Sequence, residues 1–127
     1  MSLQRIDHFV LIVADIEASC AFYETLGMKR APFGEGRMAM SFGQQKINFH
    51  QATGDPAEPK AKHPGTGTTD FCLIDTDLDA AIARLEAANI EIITGPVART
   101  GANGPIRSVY CYDPDGNLVE ISAYEAG

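Results

Sequence analysis

The second half of this chain begins by repeating the first. His8-Phe9-x-Leu11-Ile12-x-x-Asp15-Ile16-Glu17-Ala18 is matched by Asp70-Phe71-x-Leu73-Ile74-x-x-Asp77-Leu78-Asp79-Ala80, each pair 62 positions apart with no gap. Two copies at so long a period do not make a solenoid. They predict two fused modules related by a pseudo-twofold axis. Polar positions that differ between equivalent strands are then the places where a function can reside.

Bulk properties set the frame. At 127 residues, 45% hydrophobic and 21% charged, the chain has one domain's worth of core and an ordinary globular composition. The formal charge of −7, with no basic run, argues against nucleic acid or an anionic membrane surface as partner. The three cysteines, Cys20, Cys72 and Cys111, have no metal or redox spacing, which points to a reducing, cytoplasmic setting. The apolar run from Phe9 to Val13 is too short to span a bilayer or to form a signal-peptide core.

Hydrophobic patterning places the elements. Arg5 to Val13 reads as a buried strand. Asp15 caps a helix with Ile16, Cys20, Tyr23 and Leu26 on its apolar face, and Gly27 ends it. Strands are expected over Met28–Pro32, Arg37–Phe42 and Lys46–Gln51, giving β-α-β-β-β. Residues 52–67, rich in Pro and Gly, form a connector. The second module repeats the plan: a strand over Thr69–Asp75, then a helix capped by Asp77 with Leu78, Ala81, Ile82 and Leu85 inward, ended by Asn89. Strands at Ile90–Ile93, Arg107–Tyr112 and Leu118–Ser122 follow. The expected fold class is α+β: tandem βαβββ modules over 4–51 and 68–124, forming a curved mixed-sheet cup with helices outside, a single domain over 1–127. Ile47-Asn48-Phe49-His50 and Val119-Glu120-Ile121-Ser122 match at an offset of 72, so module two carries ten extra residues. The Gly- and Pro-rich stretch Gly95–Pro105 is the expected seat of that surplus, as a long loop.

Strand parity then sorts the polar residues. Side chains two apart share a face. Phe9, Leu11 and Val13 take the helix side, which turns His8 the other way; Asp70 follows by the repeat. Val119 and Ile121 take the helix side of the last strand and turn Glu120 inward, as the same parity does for Asn48 and His50. Taken singly, each is most simply a satisfied polar residue. Taken together, His8, Asp70, Glu120 and His50 are imidazoles and carboxylates suited to a divalent ion such as zinc, nickel, manganese, iron or cobalt. His50 is displaced along its strand from the level of Asn48 by two residues, about 6.6 Å, and needs a bulge to join the same ion.

Ile6-Asp7-His8-Phe9-Val10, Phe22-Tyr23-Glu24-Thr25-Leu26-Gly27-Met28 and Tyr112-Asp113-Pro114-Asp115-Gly116-Asn117-Leu118-Val119-Glu120 resemble the vicinal oxygen chelate superfamily. That superfamily includes glyoxalase I, bleomycin-resistance proteins, fosfomycin-resistance enzymes and extradiol dioxygenases. Lys46–His50 and Gly95–Gly101 resemble its small glyoxalase-domain proteins. The resemblance implies paired modules, commonly a homodimer, around a metal whose ligand positions are occupied here by His8, Asn48, Asp70 and Glu120. Two departures stand out. Asp70 replaces the histidine of fosfomycin enzymes and dioxygenases, and Asn48 replaces a glutamate of glyoxalase I, leaving Glu120 as the glutamate able to move protons. The implied activity is a metal-dependent lyase or isomerase, lactoylglutathione-lyase-like, acting on a small substrate through vicinal oxygens. By strand parity Tyr110, Ser108 and Asn48 are expected substrate contacts, Tyr110 alternatively a wall aromatic; Arg99, in the expected loop, is either a lid cation over the substrate or an exposed residue without a role. The alternatives are a metal-free binding protein of the bleomycin-resistance type, a fosfomycin-type thiol transferase, or an extradiol dioxygenase.

Overall fold

A computed structural model describes residues 2–125. Its backbone divides into two compact units, Met1–Gly67 and Thr68–Gly127. Unit one runs β1 (His8–Val13), α1 (Ile16–Thr25), β2 (Lys29–Arg30), β3 (Met38–Phe42), β4 (Gln45–Gln51). Unit two runs β5 (Asp70–Ile74), α2 (Leu78–Ala87), β6 (Thr94–Gly101), β7 (Gly104–Tyr112), β8 (Leu118–Tyr124). Each is a four-stranded mixed sheet with one helix, ordered β1-β4-β3-β2 and β5-β8-β7-β6. The first and last strands of each unit pair in parallel, and the other pairs are antiparallel. The fold is α+β, and the repeat seen in the sequence is a repeat of topology.

Both helices start and stop by the same chemistry. Asp15 Oδ1 accepts from the Ala18 N–H at 3.1 Å and Asp77 Oδ1 from the Ala80 N–H at 3.0 Å, each satisfying a donor of the first turn. At the other end the Gly27 N–H bonds the Glu24 carbonyl and the Met28 N–H that of Tyr23. Asn89 and Ile90 do the same to Glu86 and Leu85. This is the Schellman arrangement, which needs a left-handed residue: Gly27 lies at φ 101 and Asn89 at φ 59. Asp15→Ala and Asp77→Ala should each cost about 1 kcal/mol of stability, measured from the urea midpoint.

Helix faces and strand alternation close the cores. In unit one Leu11, Val13, Cys20, Tyr23, Met40, Ile47 and Phe49 are fully or almost fully buried. The buried part of α1 is Ser19, Cys20, Phe22 and Tyr23; Ile16 and Leu26, expected on that face, are only half-buried. Arg30 of β2 donates to both Glu17 oxygens at 2.8 Å and to Glu24 at 3.0 Å, fastening the two-residue strand to α1. In unit two Ala81 and Leu85 of α2 are buried, as are Val109, Cys111, Val119 and Ile121 of β7 and β8. Burial pushes the Cys111 thiol up to about 11, helped by the Asp113 charge, so it behaves as a packing residue.

The surplus of module two is not a loop. Residues 90–93 lie outside any strand, and Thr94–Gly101 pairs with β7 as a long hairpin turning at residues 102 and 103. Gly and Pro are tolerated there because β6 is an edge strand, where Pro96 has no second neighbour to serve, and the register shifts between Thr94 and Val97. Arg99 therefore sits on a strand, not on a lid. In unit one the strand expected over Met28–Pro32 shrinks to Lys29–Arg30.

Candidate functional site

Register places the polar residues of unit one on the face opposite Leu11 and Phe49. Val10 pairs with Asn48 and Ile12 with His50, so His8 lies one same-face step from the Val10–Asn48 level. His8 Nδ1 donates to Asp7 Oδ2 at 2.7 Å, and this contact holds the Asp7 carboxyl below its ordinary range. The tautomer it selects leaves the lone pair on Nε2, the arrangement by which a carboxylate orients a ligating imidazole. Asn48 is 7% exposed, and its Oδ1 is a buried acceptor without a hydrogen-bond partner among the described residues. Such an atom is costly unless something supplies a donor or a cation.

His50 is engaged differently. Arg37 Nη2 lies 3.1 Å from His50 Nε2, and because a guanidinium only donates, that nitrogen is the acceptor. Its lone pair is spent, and the adjacent positive charge opposes a cation at the same nitrogen.

Unit two repeats the diagonal. Cys72, Glu120 and Tyr110 are level across β5, β8 and β7, while Asp70 is level with Leu118. Asp70 thus stands to Glu120 as His8 stands to Asn48. Glu120 Oε2 accepts from Ser108 Oγ at 2.6 Å, and Ser122 Oγ, 3.2 Å from the same oxygen, shares its one proton between Glu120 and Ser108 Oγ. The two hydroxyls are 2.6 Å apart, and Ser122 Oγ is 3.2 Å from Cys72 Sγ. Ser108 and Ser122 are fully buried. They fix one carboxylate oxygen and leave Oε1 for other work. Ser108 has the inward parity expected of it, but its proton goes to Glu120. Ser122 escaped notice in the sequence, although it lies two residues beyond Glu120 on the same face.

Arg99 reaches Tyr110 across the hairpin. Its Nε donates to the phenolic oxygen at 3.0 Å, and its guanidinium lies 5.5 Å from the ring centre. A cation and a phenol thus meet beside Glu120. His63 is an exposed connector residue. No group of three or more His, Cys, Asp or Glu among the described residues is placed to hold a metal ion.

A family model for the Glyoxalase/Bleomycin resistance protein/Dioxygenase superfamily matches residues 5–121. The chain belongs to that superfamily. Among its relatives is virulence protein STM3117 of Salmonella typhimurium, 48% identical over 98% of this chain and 87% of that protein. A solved structure from the mobile metagenome of V. pseudocholerae is 51% identical, with TM-score 0.93 over 99% of this chain and 98% of the other. Lactoylglutathione lyase from Agrobacterium tumefaciens is a more distant glyoxalase-family neighbour, 26% identical, with TM-score 0.73 over 97% of this chain and 96% of the other. No helix among the described residues is long and apolar enough to cross a membrane.

Proposed function

We propose that this glyoxalase-superfamily protein is a divalent-metal-dependent enzyme of the lyase or isomerase type, acting on a small substrate with vicinal oxygens. The observation that carries the reading is the way Glu120 is held: one oxygen fixed by two buried hydroxyls, the other without a hydrogen-bond partner among the described residues. His8, Asp70 and Glu120 are the proposed ligands, and Asn48, whose Oδ1 has no partner among the described residues, is a proposed contact to ion or substrate. One imidazole, two carboxylates and a neutral oxygen fit zinc, nickel, manganese, iron or cobalt. His50 is left out of this set because its Nε2 already accepts from Arg37. A bound divalent cation supplies Lewis acidity toward the two substrate oxygens.

The remaining roles belong to the chain itself. The serine hydroxyls hold Glu120 Oε2, and Oε1 would move a proton to and from the substrate carbon when it is off the ion. Tyr110, level with Glu120, and Arg99 on its hydroxyl orient an anionic end of the substrate. Asp7 holds the His8 ring. Asp70 in place of histidine departs from the two-histidine, one-carboxylate set of iron dioxygenases and disfavours that reaction. The reading includes a homodimer in a cytoplasmic setting, in keeping with three free cysteines.

The test is elemental analysis of tag-free protein before and after soaking with each metal, followed by assays on hemithioacetals, catechols and fosfomycin. Stoichiometric retention of a first-row metal is expected. Absence of any retained metal after soaking would sink the proposal and leave a metal-free small-molecule binder.

A further inference from the structure

We propose that unit one carries a separate binding site for a small organic carboxylate, built from the end of its sheet and the connector. A cavity of about 490 Å³ is lined by Ile12, His50, Asp55, Lys60, Pro64 and Thr66, among others. That volume suits a compact small molecule. The connector wall is tied down by hydrogen bonds. Asp55 Oδ2 accepts from the Gln51 N–H at 2.8 Å and Asp55 Oδ1 from the Ala57 N–H at 2.9 Å, while Lys60 Nζ donates to the Asp55 carbonyl at 2.9 Å.

Lys60 lines this space, and Arg37 stands behind its His50 wall. His50 is only 8% exposed, and with Nε2 accepting from Arg37 its neutral ring carries the proton on Nδ1. No described residue accepts from that nitrogen. Arg37 stands behind His50, 4.9 Å over the Phe33 ring, with a buried Nε that has no partner and with no carboxylate at ion-pair distance among the described residues. Lys60 has one N–H on the Asp55 carbonyl and pairs with the exposed Glu58 only at 3.7 Å. The acidic wall group, Asp55, accepts from two backbone amides and keeps its one negative charge, against the two positive charges of Lys60 and Arg37. A ligand that completes this set brings an acceptor with negative charge. Ile12, Ala52 and Pro64 give its other end an apolar wall, so a carboxylate on an aromatic or branched body matches best.

This site does not depend on the metal reading, and it gives His50 work that the ligand set does not. Benzoate is the probe, titrated into the full-length ¹⁵N-labelled protein, with benzamide as the neutral isostere. Saturable shifts are expected at the amides of Gly54, Gly65 and Thr66, with benzamide at least about tenfold weaker. Lys60→Met, at the cavity rim, should weaken benzoate about tenfold. His50→Phe, which keeps a ring in the same space, should do likewise. Glu120→Gln, which strikes the proposed metal ligand, should leave benzoate affinity unchanged, so the two proposals fail independently. Shifts confined to other residues, equal binding of benzamide, or full benzoate affinity in Lys60→Met would each overturn the site.

Discussion

Glu120→Gln is expected to lower metal affinity by at least about a hundredfold while leaving the fold intact. Loss of an outer-shell partner alone commonly costs 10- to 100-fold, and loss of the ligand's charge costs more. Glutamine preserves shape, and its carbonyl oxygen can still accept from Ser108 and Ser122, whose hydroxyls now meet Glu120 Oε2. What disappears is the negative charge at Oε1. His8→Ala should match that loss, because the imidazole steered by Asp7 is then absent. Ser122→Ala should fall between, at about tenfold, since Ser108 still holds the carboxylate. His50→Ala and His63→Ala should retain full metal affinity, the first because Arg37 occupies its lone pair, the second because it sits in the exposed connector. Competition against a chromophoric chelator, with circular dichroism as the folding control, reads all five variants. Equal retention in Glu120→Gln and the parent chain would remove Glu120 from the ligand set.

Gly95→Ala should cost more stability than alanine at Gly101 or at the open turn glycines Gly27, Gly36 and Gly43. Gly95 lies at φ 110, where a Cβ is strained, and that Cβ would sit 2.4 Å from the Ser108 carbonyl oxygen and 3.0 Å from the Val109 Cα. Both neighbours are backbone atoms of β7, so no side-chain rotation relieves the clash. The left-handed penalty and the overpacking together amount to about 3 kcal/mol or more. Denaturant unfolding would show it as a lower midpoint with an unchanged slope. Relief requires β6 to move away from β7 beside Ser108, the residue that clamps Glu120. The variant should therefore lose metal affinity as well as stability. An unaltered midpoint would mean that the edge strand yields there at no cost.

Much of this architecture was legible because local chemistry and pattern agreed. Asp15 and Asp77 announce helix starts, Gly27 and Asn89 announce their ends, and the 62-residue echo gives the duplication. Parity alone put His8, Asn48, His50, Glu120 and Ser108 on the faces where register finds them. Composition misled at Gly95–Pro105, since Gly and Pro signal a loop only where a strand must pair on both sides, and β6 pairs on one. Two side-chain contacts lay beyond any pattern. The Arg37–His50 bond joins residues 13 apart, and the Ser108–Ser122–Glu120 cluster joins neighbouring strands whose relative register no single strand encodes. Identity of donor atoms can be read in a sequence; which of them are already spent cannot.

The diagonal found twice in this molecule carries neutral donors in one copy, His8 and Asn48, and two acids in the other, Asp70 and Glu120. Duplication began with interchangeable halves, and drift has since sorted their electrical character. The first copy offers no carboxylate at these positions, and the second offers two.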